Sequence, residues 1–337
     1  MGVTIKDIAK KTGLSITTIS LVLNKKENRI PEKTRQIIES AALELNYTPN
    51  QAAVSLSTKK TNTIGLIIPD GSSYYFADLL ASVERACRNT GYSLCVSFPE
   101  GDAEASFKAI QDMLRHGTDG IIVDPSVFGS SFQEAYIDLV VNTETPISSL
   151  AGTGAHLLSN SVIPNHRQGG YLAAAHLLGL GHTRIGAITG PGENYAVSDF
   201  LIGVEEAMEE FHLDFEAMPR VSDSNSAAAG YENFDTVLAG GLTGLITGFD
   251  TIARGVYRRA HERQIRIPDD LSVTGYGNCA HSAEFYVPLT TVSLHYDRIA
   301  RKAVHLIKKL NEKKTALTPE LIPPSLIVRE STAKPGS

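Results

Sequence analysis

The chain has 337 residues, a formal net charge of −6 and an apolar share of 42%, enough for two or three domains with their own cores. Its apolar runs are too short for a membrane span, and Met1-Gly-Val-Thr-Ile-Lys-Asp7 lacks the apolar stretch of a signal peptide, so a cytoplasmic location is expected. Cys87, Cys95 and Cys279 show no C-x-x-C spacing and are odd in number, which argues against a disulfide frame or a zinc site.

The charge is uneven. Residues 1–60 hold ten Lys/Arg against five Asp/Glu, a net +5 that leaves −11 on the remainder. A basic end on an acidic body places a polyanionic partner at that end, although charge alone fits a chance fluctuation equally well.

The first sixty residues have helical periodicity. Thr4 precedes Ile5, Ile8 and Ala9, and Asp7 stands at capping-box spacing from it. Thr12-Gly13 ends this helix. Ser15 caps a second, Ile16 to Asn24, with Ile19, Val22 and Leu23 inward. Pro31 opens a third in its first turn, about Glu32 to Leu45, with Ile37, Ile38, Ala41 and Leu45 on one face. Two short helices about a glycine turn, packed on a third, form a helix-turn-helix layout. The second helix turns Ser15, Ile16, Thr17, Thr18 and Ser20 outward. Hydroxyls there suit base edges or phosphates, and methyl groups suit thymine. An ordinary helical domain with a solvated Ser/Thr face has the same pattern. Asn50 to Thr58 then reads as a weakly helical linker that orders on binding.

From Ile64 on, strand-like runs alternate with amphipathic helices. The runs are Ile64–Pro69, Tyr92–Phe98, Gly120–Asp124, Ile147–Leu150, Arg184–Thr189, Arg220–Asp223, Gly244–Phe249 and Ser272–Tyr276. Helices start near Phe76, Ala103, Phe132, His166, Ala196, Ser226, Asp250 and Asp297. Repeated βα units imply parallel sheets covered on both faces, and eight units are too many for one open sheet. Two lobes are expected, parting near Asn160–Asn165. Extended segments at Thr290–His295 and Leu321–Val328 are expected to return to the first lobe.

Catalytic signatures are weak. The first βα turn, Pro69 to Tyr74, has neither a G-x-G-x-x-G nor a phosphate-loop Lys; Gly190-Pro191-Gly192 meets Tyr195 where a third glycine is needed. His166, His176 and His182 lack the spacing of a metal pair, and no G-x-S-x-G elbow occurs. Neither enzyme activity, cofactor nor metal is expected.

The stretch Val3-Thr-Ile-Lys-Asp-Ile-Ala-Lys-Lys-Thr-Gly-Leu-Ser-Ile-Thr-Thr-Ile-Ser-Leu-Val-Leu-Asn24 resembles the headpiece of the lac-repressor/galactose-repressor family. Pro31-Glu-Lys-Thr-Arg-Gln-Ile-Ile38 and Leu45-Asn-Tyr-Thr-Pro-Asn50 continue the likeness, as do Asp119-Gly-Ile-Ile-Val123, Gly181-His-Thr-Arg-Ile-Gly186 and Ile267-Pro-Asp-Asp-Leu-Ser-Val273. The resemblance implies a helix-turn-helix headpiece (1–49), a hinge helix and linker (50–61) and a core (62–337) of two doubly wound parallel-sheet lobes, like periplasmic sugar-binding proteins. Lobe 1 would span about 62–162 and 293–325, and lobe 2 about 163–292. It further implies a cytoplasmic regulator, expected to be a repressor, that binds a pseudo-palindromic double-stranded DNA operator as a homodimer. Without a leucine heptad after the core, a dimer is expected rather than a tetramer.

Ile16 and Thr17 match the family's base-reading positions, and Leu21 matches a third that is often polar in relatives. Thr4, Ser20, Asn24, Thr34 and Arg35 match phosphate contacts; Ser15 and Thr18 complete the outward face. Asn50 to Ser57 matches the hinge, where Leu56 would wedge into the minor groove and kink the duplex. The effector cleft departs from the family. Pro164, Phe200, Gly277 and Leu294 stand where relatives usually carry Asp, Arg, Asp and Gln. Tyr75, Phe76, Asn165, Asn194, Phe200, Asn225, Asp250 and Asn278 are the candidate effector residues. A cleft so changed favours a flatter, less hydroxylated small molecule than a hexose, or a protein co-regulator. Asn194, Asn225 and Asn278 taking over sugar binding is the alternative. A ligand-binding protein without a DNA role is the remaining class, disfavoured by the basic headpiece.

Overall fold

The computed structural model describes residues 3–24, 30–48, 60–69, 74–100, 102–128, 133–150, 160–192, 194–313 and 318–336. The chain divides into two compact units, 1–62 and 63–337. The linker read at Asn50 to Thr58, with Asn50 and Leu56, lies outside the described residues.

In the first unit, α1 (Ile5–Thr12), α2 (Ile16–Leu23) and α3 (Glu32–Glu44) enclose Ile8, Ile19, Val22, Ile38, Ala41 and Ala42. The Asp7 carboxylate accepts hydrogen bonds from the Thr4 N–H and hydroxyl, both at 2.8 Å. Those bonds hold its pKa below the usual carboxylate range. Gly13, at φ 70°, ends α1, and Ser15 caps α2 by accepting the Thr18 N–H at 3.1 Å. Two expectations need correction. Pro31 is the cap of α3 and stands one residue outside it. Ile37 is 45% exposed, and Ala42 takes its place in the core, because α3 turns the 38-41-42 face inward.

The second unit holds two sheets. The first has order β2-β1-β3-β4, all parallel: β1 Thr63–Ile67, β2 Ser93–Ser97, β3 Gly120–Val123, β4 Ile147–Ser149. A Ser149–Ser161 bridge extends it toward β5 (Val162–Pro164), which pairs parallel with β11 (Glu320–Ile322). The second sheet runs β12-β10-β9-β8-β6-β7 and is parallel except for β12. Its strands are β6 Ile185–Thr189, β7 Arg220–Ser222, β8 Gly244–Thr247, β9 Ser272–Gly277, β10 Thr290–Ser293 and β12 Ser325–Ile327. We call the halves lobe 1 and lobe 2.

The late crossings differ from expectation. β10 belongs to the lobe 2 sheet, and the chain enters lobe 1 only after it. Within Leu321–Val328, β11 ends in lobe 1, and β12 then returns to lobe 2, antiparallel to β10. This short antiparallel edge carries no helical crossover, so the βα rhythm could not announce it.

Helices α4 (Tyr74–Thr90), α5 (Ala103–Arg115), α6 (Gln133–Asn142) and α11 (Tyr296–Lys313) flank lobe 1; α7 (His166–Gly179), α8 (Tyr195–Glu210), α9 (Ala227–Leu238) and α10 (Asp250–Glu262) flank lobe 2. β3 and β9 are buried throughout, as helix cover on both faces requires. One buried apolar cluster runs from Leu66, Leu79 and Val83 of lobe 1 into Phe200, Val204 and Tyr276 of lobe 2. The C-terminal ends of β6, β8 and β9 bring Thr189, Gly248 and Tyr276 around one recess, the end at which doubly wound sheets take ligands.

Candidate DNA-reading helix and core recess

The outward face of α2 is built by its cap. Ser15 Oγ holds the Thr18 N–H and shares a 2.8 Å hydrogen bond with the Thr18 hydroxyl. Thr18 is therefore tied into the cap, whereas Thr17 is exposed. Ile16, the first residue of α2, is 46% exposed. Nearly half of this apolar side chain is left open to meet a partner. One turn on, the Asn24 amide donates to Ser20 Oγ at 3.1 Å. Leu21 is half-buried, so its role as a base reader is limited to what its open edge reaches. Thr4 is exposed before α1; Thr34 and Arg35 are half-buried in the first turn of α3. Arg35 Nε is 3.7 Å from the Glu32 carboxylate and has no hydrogen-bond partner among the described residues.

In the core, most of the polar effector candidates are occupied by the fold. Asn165 caps α7, its side chain accepting the Gln168 N–H at 3.0 Å; Asn194 caps α8 through the Ala196 N–H at 2.9 Å. Asn278 Oδ1 accepts from the Arg329 guanidinium at 2.7 Å. Asp250 is buried and accepts from the Thr291 hydroxyl at 2.6 Å and the Cys279 N–H at 2.8 Å. Burial outweighs those bonds and raises its pKa to about 6. Asn225 is exposed, its amide oxygen standing where a Cβ on Gly190 would go. Phe76 is half-buried against the large apolar cluster. Tyr75 lies within α4, and its side chain falls outside the described set. Among the described residues no cluster of three His, Cys, Asp or Glu side chains could hold a metal ion, and no helix is long and apolar enough to cross a membrane.

Phe200 does reach the recess, with Thr189, Ala196, Val197, Gly248, Phe249 and Tyr276. Phe200 stands edge-on to Tyr276 at 4.8 Å between ring centroids, and Phe249 at 5.8 Å. His166 Nδ1 shares a 2.7 Å hydrogen bond with the Tyr276 hydroxyl. Burial lowers the pKa of this imidazole to about 4, so the ring is neutral at pH 7. A Cβ at Gly169 would stand 2.5 Å from the Tyr276 ring, so glycine there lets the tyrosine close against α7. Sequence reasoning missed Phe249 and Tyr276 as recess residues and His166 as the partner of Tyr276. The Gly275-Tyr276-Gly277 run was a usable signal; Phe249 carried none.

The comparisons bear on this geometry. Residues 4–50 match the model of the bacterial regulatory proteins of the lacI family, and residues 174–332 match the periplasmic binding protein-like domain. The HTH-type transcriptional regulator DegA of Bacillus subtilis is 31% identical over 335 residues, covering 99% of both chains. The chain belongs to the LacI family of bacterial regulators. Another relative, the HTH-type transcriptional repressor PurR of Haemophilus influenzae, is 31% identical over 335 residues, covering 97% of this chain and 98% of its own. The crystal structure of the lac repressor dimer bound to operator and the anti-inducer ONPF superposes with a TM-score of 0.86 at 26% identity, covering 99% of this chain and 100% of that one. As a LacI-family member, the chain is a DNA-binding transcriptional regulator with a periplasmic-binding-protein-like core.

Proposed function

We propose that this regulator is a cytoplasmic homodimeric repressor, not an enzyme, which reads a pseudo-palindromic operator with α2. Ile16 and Thr17 would meet base edges. Thr4, Ser20, Asn24, Thr34 and Arg35 would meet phosphates, and Asn50 to Ser57 would form the hinge with Leu56 as its wedge. The core, with the lobe bounds given above, is the regulatory half. The observation that carries the reading is the exposed Ile16 on the first turn of a Ser-capped helix. Support comes from PurR, named as a repressor, and from the lac repressor dimer on operator DNA. The core candidates occupied as helix caps and internal partners favour an input other than a free hexose, since each unpaired buried hydroxyl costs about 1–3 kcal/mol.

Selection from a random duplex library with the full chain tests the DNA reading. A symmetric site should be enriched. Ile16→Ala should bind that site about 10–100-fold more weakly, the worth of one good base contact. No enriched site, or an unchanged Ile16→Ala, would overturn it.

A further inference from the structure

The lobes meet through side chains of their own. At the rim, the Asp78 carboxylate of α4 accepts a 2.9 Å hydrogen bond from the Ala280 N–H, at the start of the 3₁₀ turn Ala280–Ala283. The residue in the cap position, Cys279, gives that turn no side-chain cap, and its thiol bonds Asp250. A carboxylate from the other lobe, 202 residues away in sequence, caps the turn instead. Deeper in, Tyr296 at the head of α11 brings its hydroxyl 2.9 Å from where a Cβ of Gly277 would stand. Gly277 sits at φ +118°, and any side chain there would push Tyr296 out. Behind it, the Phe200, Phe249 and Tyr276 rings leave a recess of about 220 Å³ counting its open mouth, with an enclosed part about the size of one water molecule.

We propose that Asp78 and Tyr296 form a clasp that holds the core closed with no ligand in the cleft, over a recess that the three rings of lobe 2 already fill. The proposal rests on reading the core as the regulatory half, and assigns its resting state. A polyol entering the recess would have to displace the rings. Its hydroxyls would then find side-chain oxygens of Asn165, Asn194, Asn278 and Asp250 already accepting from the protein. The control signal therefore acts by releasing the clasp, not by filling a ready site.

Distance measurement by electron spin resonance on the full chain tests this. Spin labels go on Glu104→Cys in lobe 1 and Glu232→Cys in lobe 2, both exposed. Exposed Cys95 is first replaced by Ser; Cys87 and Cys279 are buried. With the labelled chain diluted in unlabelled chain, so that a dimer carries one labelled copy, the ligand-free parent should give one narrow distance. Asp78→Ala should add a longer one, raising the open-to-closed ratio about tenfold, the scale of one lost cap. Asp78→Asn, which keeps an acceptor oxygen, should restore the parent pattern. Ala280→Pro removes the donor N–H at a first-turn position that tolerates proline; it should open the core as Asp78→Ala does, and stands in for it if that variant fails to fold. A broad distribution in the ligand-free parent, or a narrow one persisting in the cap variants, would overturn the clasp. The library selection is independent: its failure would remove the operator reading and leave the distances to judge the clasp.

Discussion

At the residue scale, His166 and Asp250 pull stability in opposite directions over the same pH window. The His166 pKa is about 4 when folded against 6.5 for the free group. Between those values the unfolded chain binds a proton that the folded chain refuses. Its contribution is therefore complete above pH 6.5 and lost as the pH falls toward 4. Asp250 titrates at about 6 when folded against 3.8 for the free group. The folded chain keeps a proton that the unfolded chain releases, so its contribution is lost as the pH rises from about 4 to 6. The two slopes, each up to about 1.4 kcal/mol per pH unit, should largely cancel in the parent. Urea unfolding of His166→Gln should show stability falling from pH 4 to 6 relative to the parent, and Asp250→Asn should show it rising. A parent-like profile in either variant would mean that the group does not titrate as placed. Little of this pair was legible in the sequence. Asp250 read as a helix start and an effector candidate, with nothing to show that it is buried, and the partner of His166 lies 110 residues away. The face of α2 was legible, because Ser15, Ile16 and Thr17 take their positions from local helix geometry alone.

At the element scale, caps and straps decide more than strand propensity does. Ser15 satisfies an end N–H of α2, so Ser15→Ala should cost about 1 kcal/mol. Hydrogen exchange on the full chain should then be faster in α2 but not in β9. Ser331 is fully buried beyond β12; its hydroxyl accepts the Thr290 N–H at 2.8 Å and donates to the Val273 carbonyl at 2.6 Å. Ser331→Ala leaves both β9 and β10 with a buried unpaired group, and should cost about 1–3 kcal/mol, read as a lower urea midpoint. A change under 0.5 kcal/mol would show that water replaces the hydroxyl. The eight principal strands and their helices were legible because short apolar runs alternate with helical periods and the turns between them. β11 and β12 have no helix between them, so no βα rhythm marked how they pair, and residues 328–333 beyond β12 are irregular chain held by single side chains.

At the scale of the whole molecule, charge is divided between the units that the contacts separate. The basic excess lies in residues 1–60, and the rest of the chain carries −11. A duplex brought to the first unit would meet Lys6, Lys10 and Lys11 of α1 and Lys33 and Arg35 of α3, while the acidic body would repel it. Binding should then release counterions from the duplex, with log K falling by about 0.9 per phosphate neutralised for each unit of log salt. Two copies of the headpiece, each engaging two or three phosphates, give an expected slope of about −4 to −5. Fluorescence anisotropy of the selected duplex across 50–300 mM salt reads that slope directly. A chain beginning at Thr63 should remain folded, since the second unit keeps its own clusters, yet lose binding at every salt concentration. The two results separate causes. A steep slope with binding kept by the truncated chain would place the phosphate contacts on the core. A slope near zero in the full chain would mean that base and methyl contacts alone hold the complex, and would remove the charge division as the reason the headpiece finds DNA.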